Sequence, residues 1–160
     1  MLVMGILNVT PDSFADGGLH FDQAQAVAHG IAMAKDGADI IDVGGESTRP
    51  GADRVSAEEE QARIIPVIRE LASRAIVISV DTMRASTAKL AIEAGATFVN
   101  DVSGGAADPE MFSTVAALDC RYILMHWRGH SKDMNSKAFY NDVVSEVIDE
   151  VSVQLGKAIS

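Results

Sequence analysis

Five short apolar segments rich in β-branched residues alternate along this chain with five stretches of amphipathic helical pattern. The strands are predicted at residues 2–9, 39–43, 76–80, 98–101 and 122–126, and each ends in polar residues or glycine. Consecutive parallel strands are joined by helical crossovers of one hand, so this order predicts a parallel sheet built from five βα units. The alternation therefore predicts an α/β protein.

Local signals set the expected helix boundaries. Helices are predicted over residues 22–36, 56–73, 86–94, from 108 onward, and 139–159. Gly37 suits the left-handed cap that ends a helix, and Ser56 begins a capping-box spacing. Pro66 predicts a kink or a broken turn inside the second helix. Asp108 followed by Pro109 predicts an N-cap with proline at the first helical position.

The spacing of the units narrows the fold class. Five units in 160 residues use about 32 residues each, close to the roughly 31 per unit of an eight-unit barrel of about 250 residues. No Gly-x-Gly-x-x-Gly follows the first strand, and no Walker A sequence occurs. We therefore predict a TIM (β/α)8 barrel family member in which the chain covers about the first five βα units, as one partial domain over residues 1–160.

Composition excludes several classes of function. The chain is 48% hydrophobic with a net charge of −10, which disfavours disorder, nucleic-acid binding and binding to anionic membranes. Its longest apolar run, residues 1–7, is too short to span a bilayer. The one cysteine, Cys120, can form neither an intrachain disulfide nor a cysteine-rich metal site. We expect a cytoplasmic protein that binds small molecules.

Polar residues follow every predicted strand. They include Asn8 after the first strand, a Gly-Gly-Glu-Ser-Thr-Arg-Pro-Gly segment from Gly44 after the second, Asp81 after the third, Asn100 at the end of the fourth and His126 at the end of the fifth. Active sites of βα barrels lie at the carboxyl ends of the strands. One polar strand end is explained by a cap, but five converging ends predict a site.

Four of these segments closely resemble the dihydropteroate synthase family. They are residues 4–14 (MGILNVTPDSF), 45–51 (GESTRPG), 80–82 (VDT) and 99–105 (VNDVSGG). The resemblance covers essentially the whole chain and implies a TIM barrel. It also implies joining of para-aminobenzoate to 6-hydroxymethyl-7,8-dihydropterin diphosphate, with release of pyrophosphate and Mg²⁺ present. In this family, sulfonamides compete for the para-aminobenzoate position.

The resemblance implies that Asp81 and Asn100 bind the pterin and that Val102 and Met125 sandwich its ring. A carboxylate at Asp81 can accept two parallel N–H bonds from a 2-aminopyrimidinone, or it can cap the following helix. The Asn100 amide offers a donor and an acceptor to a heterocycle, or it forms an Asx turn. Val102 and Met125 suit an ordinary barrel core almost equally well.

Asn8 and Asp101 are the remaining polar candidates on the strands. A neutral oxygen at Asn8 suits Mg²⁺, although a turn residue is the plainer interpretation, and the resemblance implies metal and pyrophosphate binding there. Asp101 has the opposite pleat parity to Asn100, so we assign it a structural role. His126 is also expected to be structural, and no catalytic acid or base is assigned.

Two loops complete the predicted substrate site. Thr48 and Arg49 suit an oxyanion, because arginine offers a planar fork to phosphate or carboxylate. The resemblance implies that their loop closes over the substrates, with Pro50 on the para-aminobenzoate side. Phe14 and Asp16 belong to the other closing loop. Their plainer interpretation is surface residues.

The resemblance also implies site residues on three later strands, and none of their motifs occurs in this chain. We therefore expect a fragment that is inactive alone and a homodimer at full length. Two alternatives stay open: a pterin-binding methyltransferase domain and a non-catalytic barrel fragment. The loops at residues 10–14 and 47–51 favour the synthase.

Overall fold

A computed structural model describes residues 1–10, 19–47 and 54–160, with the backbone alone for residues 19–22. In these ranges the strands are β1 (Met4–Asn8), β2 (Ile40–Gly44), β3 (Ile78–Asp81), β4 (Phe98–Asp101) and β5 (Arg121–Leu124). The helices are α1 (Leu19–Lys35), α2 (Ala57–Ala72), α3 (Ala85–Glu93), α4 (Met111–Ala116), α5 (Met134–Lys137) and α6 (Val143–Ala158). The strands form one sheet in the order β1-β2-β3-β4-β5, and every neighbouring pair is parallel. The predicted βα order is confirmed.

The core lies between one face of the sheet and the helices. Alternate strand residues supply the sheet side of the core, because successive side chains point to opposite faces. Its fully buried members include Leu7, Ile41, Val43, Ile78, Val80 and Val99 from the strands and Ile64, Val67, Ile68 and Leu71 from α2. Burial of each such side chain contributes about 1.5–3 kcal/mol. The other strand face, opposite the helices, is thereby left for polar residues.

Helix α2 continues through Pro66 from Ala57 to Ala72, so the predicted broken turn is wrong. A proline has no N–H to donate to the carbonyl four residues earlier. That carbonyl, on Ala62, instead accepts a hydrogen bond from Gln23 Nε2 of α1 at 3.1 Å. The neighbouring helix therefore satisfies the group that the proline leaves without an intrahelical partner.

Capping residues explain where the helices begin and end. Gly37 has φ 106°, with the Ala38 N–H donating to Met33 O at 3.0 Å, and Ser56 Oγ accepts the Glu59 N–H at 3.1 Å. Both predicted caps are thus confirmed.

Two predicted helix starts are wrong. Helix α4 begins at Met111, because Asp108 forms a turn instead, its Oδ1 accepting the Glu110 N–H at 3.0 Å. Helix α6 begins at Val143, because Asp142 accepts the N–H groups of the first turn.

The sheet is open at both sides in the described ranges. There, β1 pairs with β2 alone and β5 with β4 alone. Ile6, on the face of β1 away from the helices, is 65% exposed. Among the described helices, none is both long and apolar enough to cross a membrane. The fold thus presents polar residues at the carboxyl ends of the strands and a sheet face that is exposed at β1.

Candidate functional site

The register of the sheet places polar side chains in one row across four strands. Asn8 is paired with Gly44, Gly44 with Asp81, and Asp81 with Asn100. By strand alternation they share the face opposite the helices, which we call the inner face. A Cβ on Gly44 would lie 3.4 Å from Asp81 Oδ2 and 3.8 Å from Asn8 Oδ1. The glycine therefore leaves room between the Asn8 and Asp81 side chains.

Asp81 titrates close to neutrality. Burial at the end of β3, together with the negative charges of Asp42, Glu60, Asp101 and Glu46, raises its pKa to about 7. No residue in the described ranges donates a hydrogen bond to the Asp81 carboxylate. A ligand N–H or a positive charge placed beside it would stabilise the ionised form.

Asp42 is a buried partner of Asn100 that the sequence analysis missed. Asn100 Nδ2 donates to Asp42 Oδ2 at 2.9 Å, and Asp42 is only 4% exposed. The signal was available in the sequence: Asp42 is a lone acidic residue in an otherwise apolar strand, two positions before Gly44. That spacing gives Asp42 the same pleat parity as the glycine.

Three buried polar atoms on this face lack a hydrogen-bond partner in the described part of the chain. They are Asp42 Oδ1, Ser79 Oγ and Asn100 Oδ1. Buried polar atoms are nearly always paired, and each unsatisfied one costs about 1–3 kcal/mol. Three of them on the inner face indicate a place where a polar ligand or ordered water completes the hydrogen bonding.

Asp101 has the structural role predicted for it. Its fully buried carboxylate accepts hydrogen bonds from Ser103 N at 2.8 Å, Ser103 Oγ at 2.7 Å, Gly105 N at 2.9 Å and Tyr122 Oη at 2.7 Å. Burial and the Asp101 charge raise the pKa of the Tyr122 hydroxyl. Asp101 therefore ties the turn after β4 to strand β5, on the face opposite to Asn100.

Val102 and Met125 lie at the same edge of the sheet as Asn100. Val102 follows β4 and is half-buried, while Met125 follows β5 and is 43% exposed. Met125 also lines a cavity of about 270 Å³ beside His126 and α6. The two strand ends approach closely at Gly104, where φ is 59° and a Cβ would lie 2.4 Å from Met125 O. Only glycine fits that position.

Asn8 is exposed at the end of β1. Among the described residues, no group of three or more His, Cys, Asp or Glu side chains could hold a metal ion. Mg²⁺ commonly binds one or two protein oxygens and completes its shell with water and phosphate oxygens. The side-chain amide oxygen of Asn8 is of the chemical type that fits such a partly hydrated Mg²⁺ ion.

A buried ionic network, which the sequence analysis also missed, supports the strand ends. Arg84 donates to Glu60 Oε2 at 2.7 Å and to Glu46 Oε2 at 2.9 Å, and Thr82 Oγ1 donates to Glu60 Oε1 at 2.7 Å. Glu60 lies one helical turn before Ile64, on the buried side of α2. The available sequence signal was an acidic residue at the same helical spacing as the apolar residues of α2. The network holds the residues that follow β2 and β3.

The predicted loop residues lie outside the described residues. Phe14 and Asp16 belong to residues 11–18, and Thr48, Arg49 and Pro50 belong to residues 48–53. Their roles in substrate binding stay predictions.

His126 contacts α6, as expected of a structural residue. Its Nε2 lies 2.8 Å from Glu150 Oε2. Arg128 donates to Glu146 at 2.7 Å and covers the ring of Tyr140 at 3.8 Å. Hydrogen bonds from Arg128 and His126 lower the pKa of Glu150 to about 2. These contacts join the end of β5 to the last helix.

Comparison with known proteins identifies similar sequences that agree with the family resemblance seen in the sequence motifs. The sequence matches a family described as "Pterin binding enzyme" over residues 4–159. It is 49% identical to a dihydropteroate synthase of Mycobacterium leprae (strain TN) over 159 residues, which cover 99% of this chain and 56% of that protein. The predicted resemblance is therefore confirmed.

Solved structures agree with the predicted fold class. A Xanthomonas albilineans dihydropteroate synthase with 4-aminobenzoic acid matches with a TM-score of 0.89 and 46% identity, over 98% of this chain and 55% of that one. A Yersinia pestis dihydropteroate synthase in complex with a sulfonamide drug matches with a TM-score of 0.89 and 40% identity, over 99% and 57%. The chain spans about half the length of these relatives, and its five βα units correspond to part of their barrel.

Proposed function

We propose, from the premise that this chain belongs to the pterin binding enzyme family, that it carries the pterin-recognising part of a dihydropteroate synthase. Residues 1–160 would form a partial pterin-binding TIM-barrel domain. The supporting observation is the inner-face row in which Asp81 and Asn100 lie side by side and the buried Asn100 Oδ1 has no partner among the described residues. A heterocycle with N–H groups would complete these hydrogen bonds.

The proposed reaction is a displacement at the methylene carbon of 6-hydroxymethyl-7,8-dihydropterin diphosphate. The amine nitrogen of para-aminobenzoate forms the new C–N bond. The C–O bond breaks, diphosphate leaves with the electron pair, and the nitrogen releases one proton to solvent. A neutral arylamine needs no protein base, so the described residues act by holding the pterin in line for attack. Val102 and Met125 would cover the ring faces.

Magnesium would act at the diphosphate end. Asn8 is the proposed ligand, and the described residues supply no further cluster of metal ligands. When bound, the ion would stabilise negative charge on the departing diphosphate. Because Asn8 is the one ligand proposed among the described residues, the ion is expected to bind together with the phosphorylated substrate rather than alone.

The two loops would hold the second substrate. Thr48 and Arg49 suit an anionic group, and Pro50, Phe14 and Asp16 would complete the enclosure over para-aminobenzoate. A sulfonamide would compete at the same position; the similar Yersinia pestis synthase forms a complex with a sulfonamide drug. The resemblance further supports a homodimer at full length. A cytoplasmic location suits the single cysteine.

A fusion protein tests this function. It joins residues 1–160 to the carboxyl-terminal part of the Mycobacterium leprae synthase, which would supply the remaining βα units. We expect it to form dihydropteroate from the two substrates, measured by chromatography of labelled para-aminobenzoate. A pterin-binding methyltransferase domain would instead transfer a methyl group to a cobalamin protein. A folded fusion that binds pterin and makes only the latter transfer would contradict the synthase assignment.

Asn8→Ala in the fusion is expected to raise the Mg²⁺ concentration for half-maximal rate about tenfold, which corresponds to about 1.4 kcal/mol for one lost ligand. The matched control is Asn135→Ala, the same change on an exposed residue of α5. It should leave the Mg²⁺ requirement unchanged. If both variants required the same Mg²⁺ concentration, the metal would be bound by residues other than Asn8.

Arg49→Ala in the fusion is expected to weaken para-aminobenzoate binding about tenfold, through loss of a charged hydrogen bond, without changing pterin binding. Isothermal titration with pterin alone, and then with para-aminobenzoate plus pyrophosphate, separates the two sites. Arg74→Ala, which removes an exposed pair with Glu70, is the control. If Arg49→Ala weakened the binding of pterin and of para-aminobenzoate equally, Arg49 would have a structural role instead.

A further inference from the structure

The contact between Asp42 and Asn100 joins two strands that are not neighbours in the sheet. Asp42 belongs to β2 and Asn100 to β4, and β3 lies between them. The Asn100 Nδ2 to Asp42 Oδ2 distance is 2.9 Å. Burying a carboxylate is costly unless it is hydrogen-bonded. Only one of the two Asp42 oxygens has a partner in the described ranges, so structural stability alone does not explain this residue.

The contact sets the orientation of the Asn100 amide. A carboxylate only accepts hydrogen bonds, so it selects the NH₂ end of the amide and repels the oxygen end. A flipped Asn100 would bring Oδ1 against Asp42 Oδ2. With the amide held this way, Asn100 Oδ1 stays buried and has no partner among the described residues. In this orientation Asn100 Oδ1 can accept a hydrogen bond from a ligand.

The neighbouring group on the inner face is also an acceptor. Asp81 is the register partner of Asn100, and its carboxylate receives no hydrogen bond from the described residues. Two adjacent acceptors complement a ligand edge that carries N–H donors. An edge that carries oxygen there would place acceptor against acceptor.

We propose that Asp42 is a positioning residue that acts through Asn100, fixing its amide so that the site selects a heterocycle edge carrying N–H donors over one carrying a carbonyl oxygen. This inference rests on the proposed function, because it concerns the same pterin site. It adds a residue and a basis for selectivity to that site. Asp42 itself needs no contact with the ligand.

The ligand test compares 6-hydroxymethylpterin, which has a 2-amino group, with the corresponding lumazine, which has oxygen at that position. Titration of the fusion protein is expected to show at least about tenfold preference for the pterin, the size of one hydrogen bond to a charged or fixed acceptor. Asp42→Asn preserves shape but lets the Asn100 amide flip. It should reduce the preference to less than about threefold.

A polarity swap provides the rescue. In the double variant Asp42→Asn with Asn100→Asp, the new amide donates to the new carboxylate, whose other oxygen again faces the ligand as an acceptor. This variant should recover the preference for the pterin. Asp119→Asn, an exposed change just before β5, is the control and should retain the full preference. An unchanged preference in Asp42→Asn, or an equal loss of both ligands, would overturn the proposal.

A measurement without ligand separates this inference from the proposed function. The Asn100 side-chain NH₂ resonances in a ¹⁵N-labelled chain should be shifted from random-coil values and should return toward them in Asp42→Asn. If the fusion protein fails to bind pterin but this change occurs in the labelled chain, the pterin function fails and the positioning role stands. If the Asn100 resonances are the same in both chains, the positioning role fails whatever the ligand does.

Discussion

Residues 1–160 on their own are expected to form no dihydropteroate, whereas the fusion protein forms it. In the described ranges the sheet is open, with β1 and β5 each pairing on one side only. At β1 the inner face is exposed there, as the 65% exposure of Ile6 shows. When two bound reactants are exposed to solvent on one side, the protein neither orients them fully nor excludes water, so the rate of their reaction increases little.

Charge gives a second reason for this loss. The chain has a net charge of −10, and the carboxylates of Asp42, Glu46 and Glu60 act on the site together with Asp81. A diphosphate would be repelled there unless cations from later strands and Mg²⁺ offset the charge. The measurement is product formation from labelled para-aminobenzoate by the purified chain and by the fusion. Steady turnover by the 160-residue chain would show that the later units are dispensable.

Asp81→Asn in the fusion is expected to weaken pterin binding by about ten- to a hundredfold. A hydrogen bond to a charged group contributes about 1.5–3 kcal/mol, which corresponds to that range. Because ligand N–H donors favour the ionised carboxylate, wild-type affinity should rise between pH 6 and pH 8, across its pKa of about 7. The variant should lose this pH dependence.

As the pH rises, the stability of the wild-type fold should fall, whereas its affinity for pterin rises. Asp81 has a folded pKa of about 7 against an ordinary value of 3.8, so its contribution to stability is full below pH 3.8 and is lost as the pH rises through 7. Asp81→Asn removes that loss. Its free energy of unfolding at pH 8 should exceed that of the wild type by on the order of 4 kcal/mol.

The control for this variant is Asp119→Asn, which neutralises an exposed carboxylate at the opposite edge of the sheet. It should alter neither pterin affinity nor the pH dependence of stability. Titration calorimetry and thermal unfolding across the same pH range measure both properties. A well-folded Asp81→Asn variant with near-normal pterin affinity would remove Asp81 from the site.

The fold was largely predictable because its signals are local. Each strand is a short β-branched segment, and Gly37 and Ser56 mark helix boundaries through their own backbone groups. The errors arose where a distant group replaced a local one. Helix α2 continues through Pro66 because Gln23, on another helix, satisfies the carbonyl of Ala62. No pattern around Pro66 contains that information.

The positions of candidate site residues were predictable where they end a strand, but not where they lie inside one. Asp81 and Asn100 follow apolar runs, so their position is readable, and pleat parity correctly separated Asn100 from Asp101. Asp42 lies inside a strand, and its partner is 58 positions away. Its role depends on a register that only the assembled sheet defines. The same holds for Glu60, whose partners in the loop after β3 and in α3 are 22 to 27 positions away.

A crystal structure of the fusion with 6-hydroxymethylpterin bound tests whether this chain recognises pterin through its inner face. We expect the ring beside Gly44, with its N–H groups about 3 Å from the Asp81 carboxylate and from Asn100 Oδ1. Val102 and Met125 should contact the two faces of the ring. A pterin bound elsewhere, such as in the cavity beside His126 and Glu150, with Asp81 and Asn100 still without a ligand, would contradict the assignment.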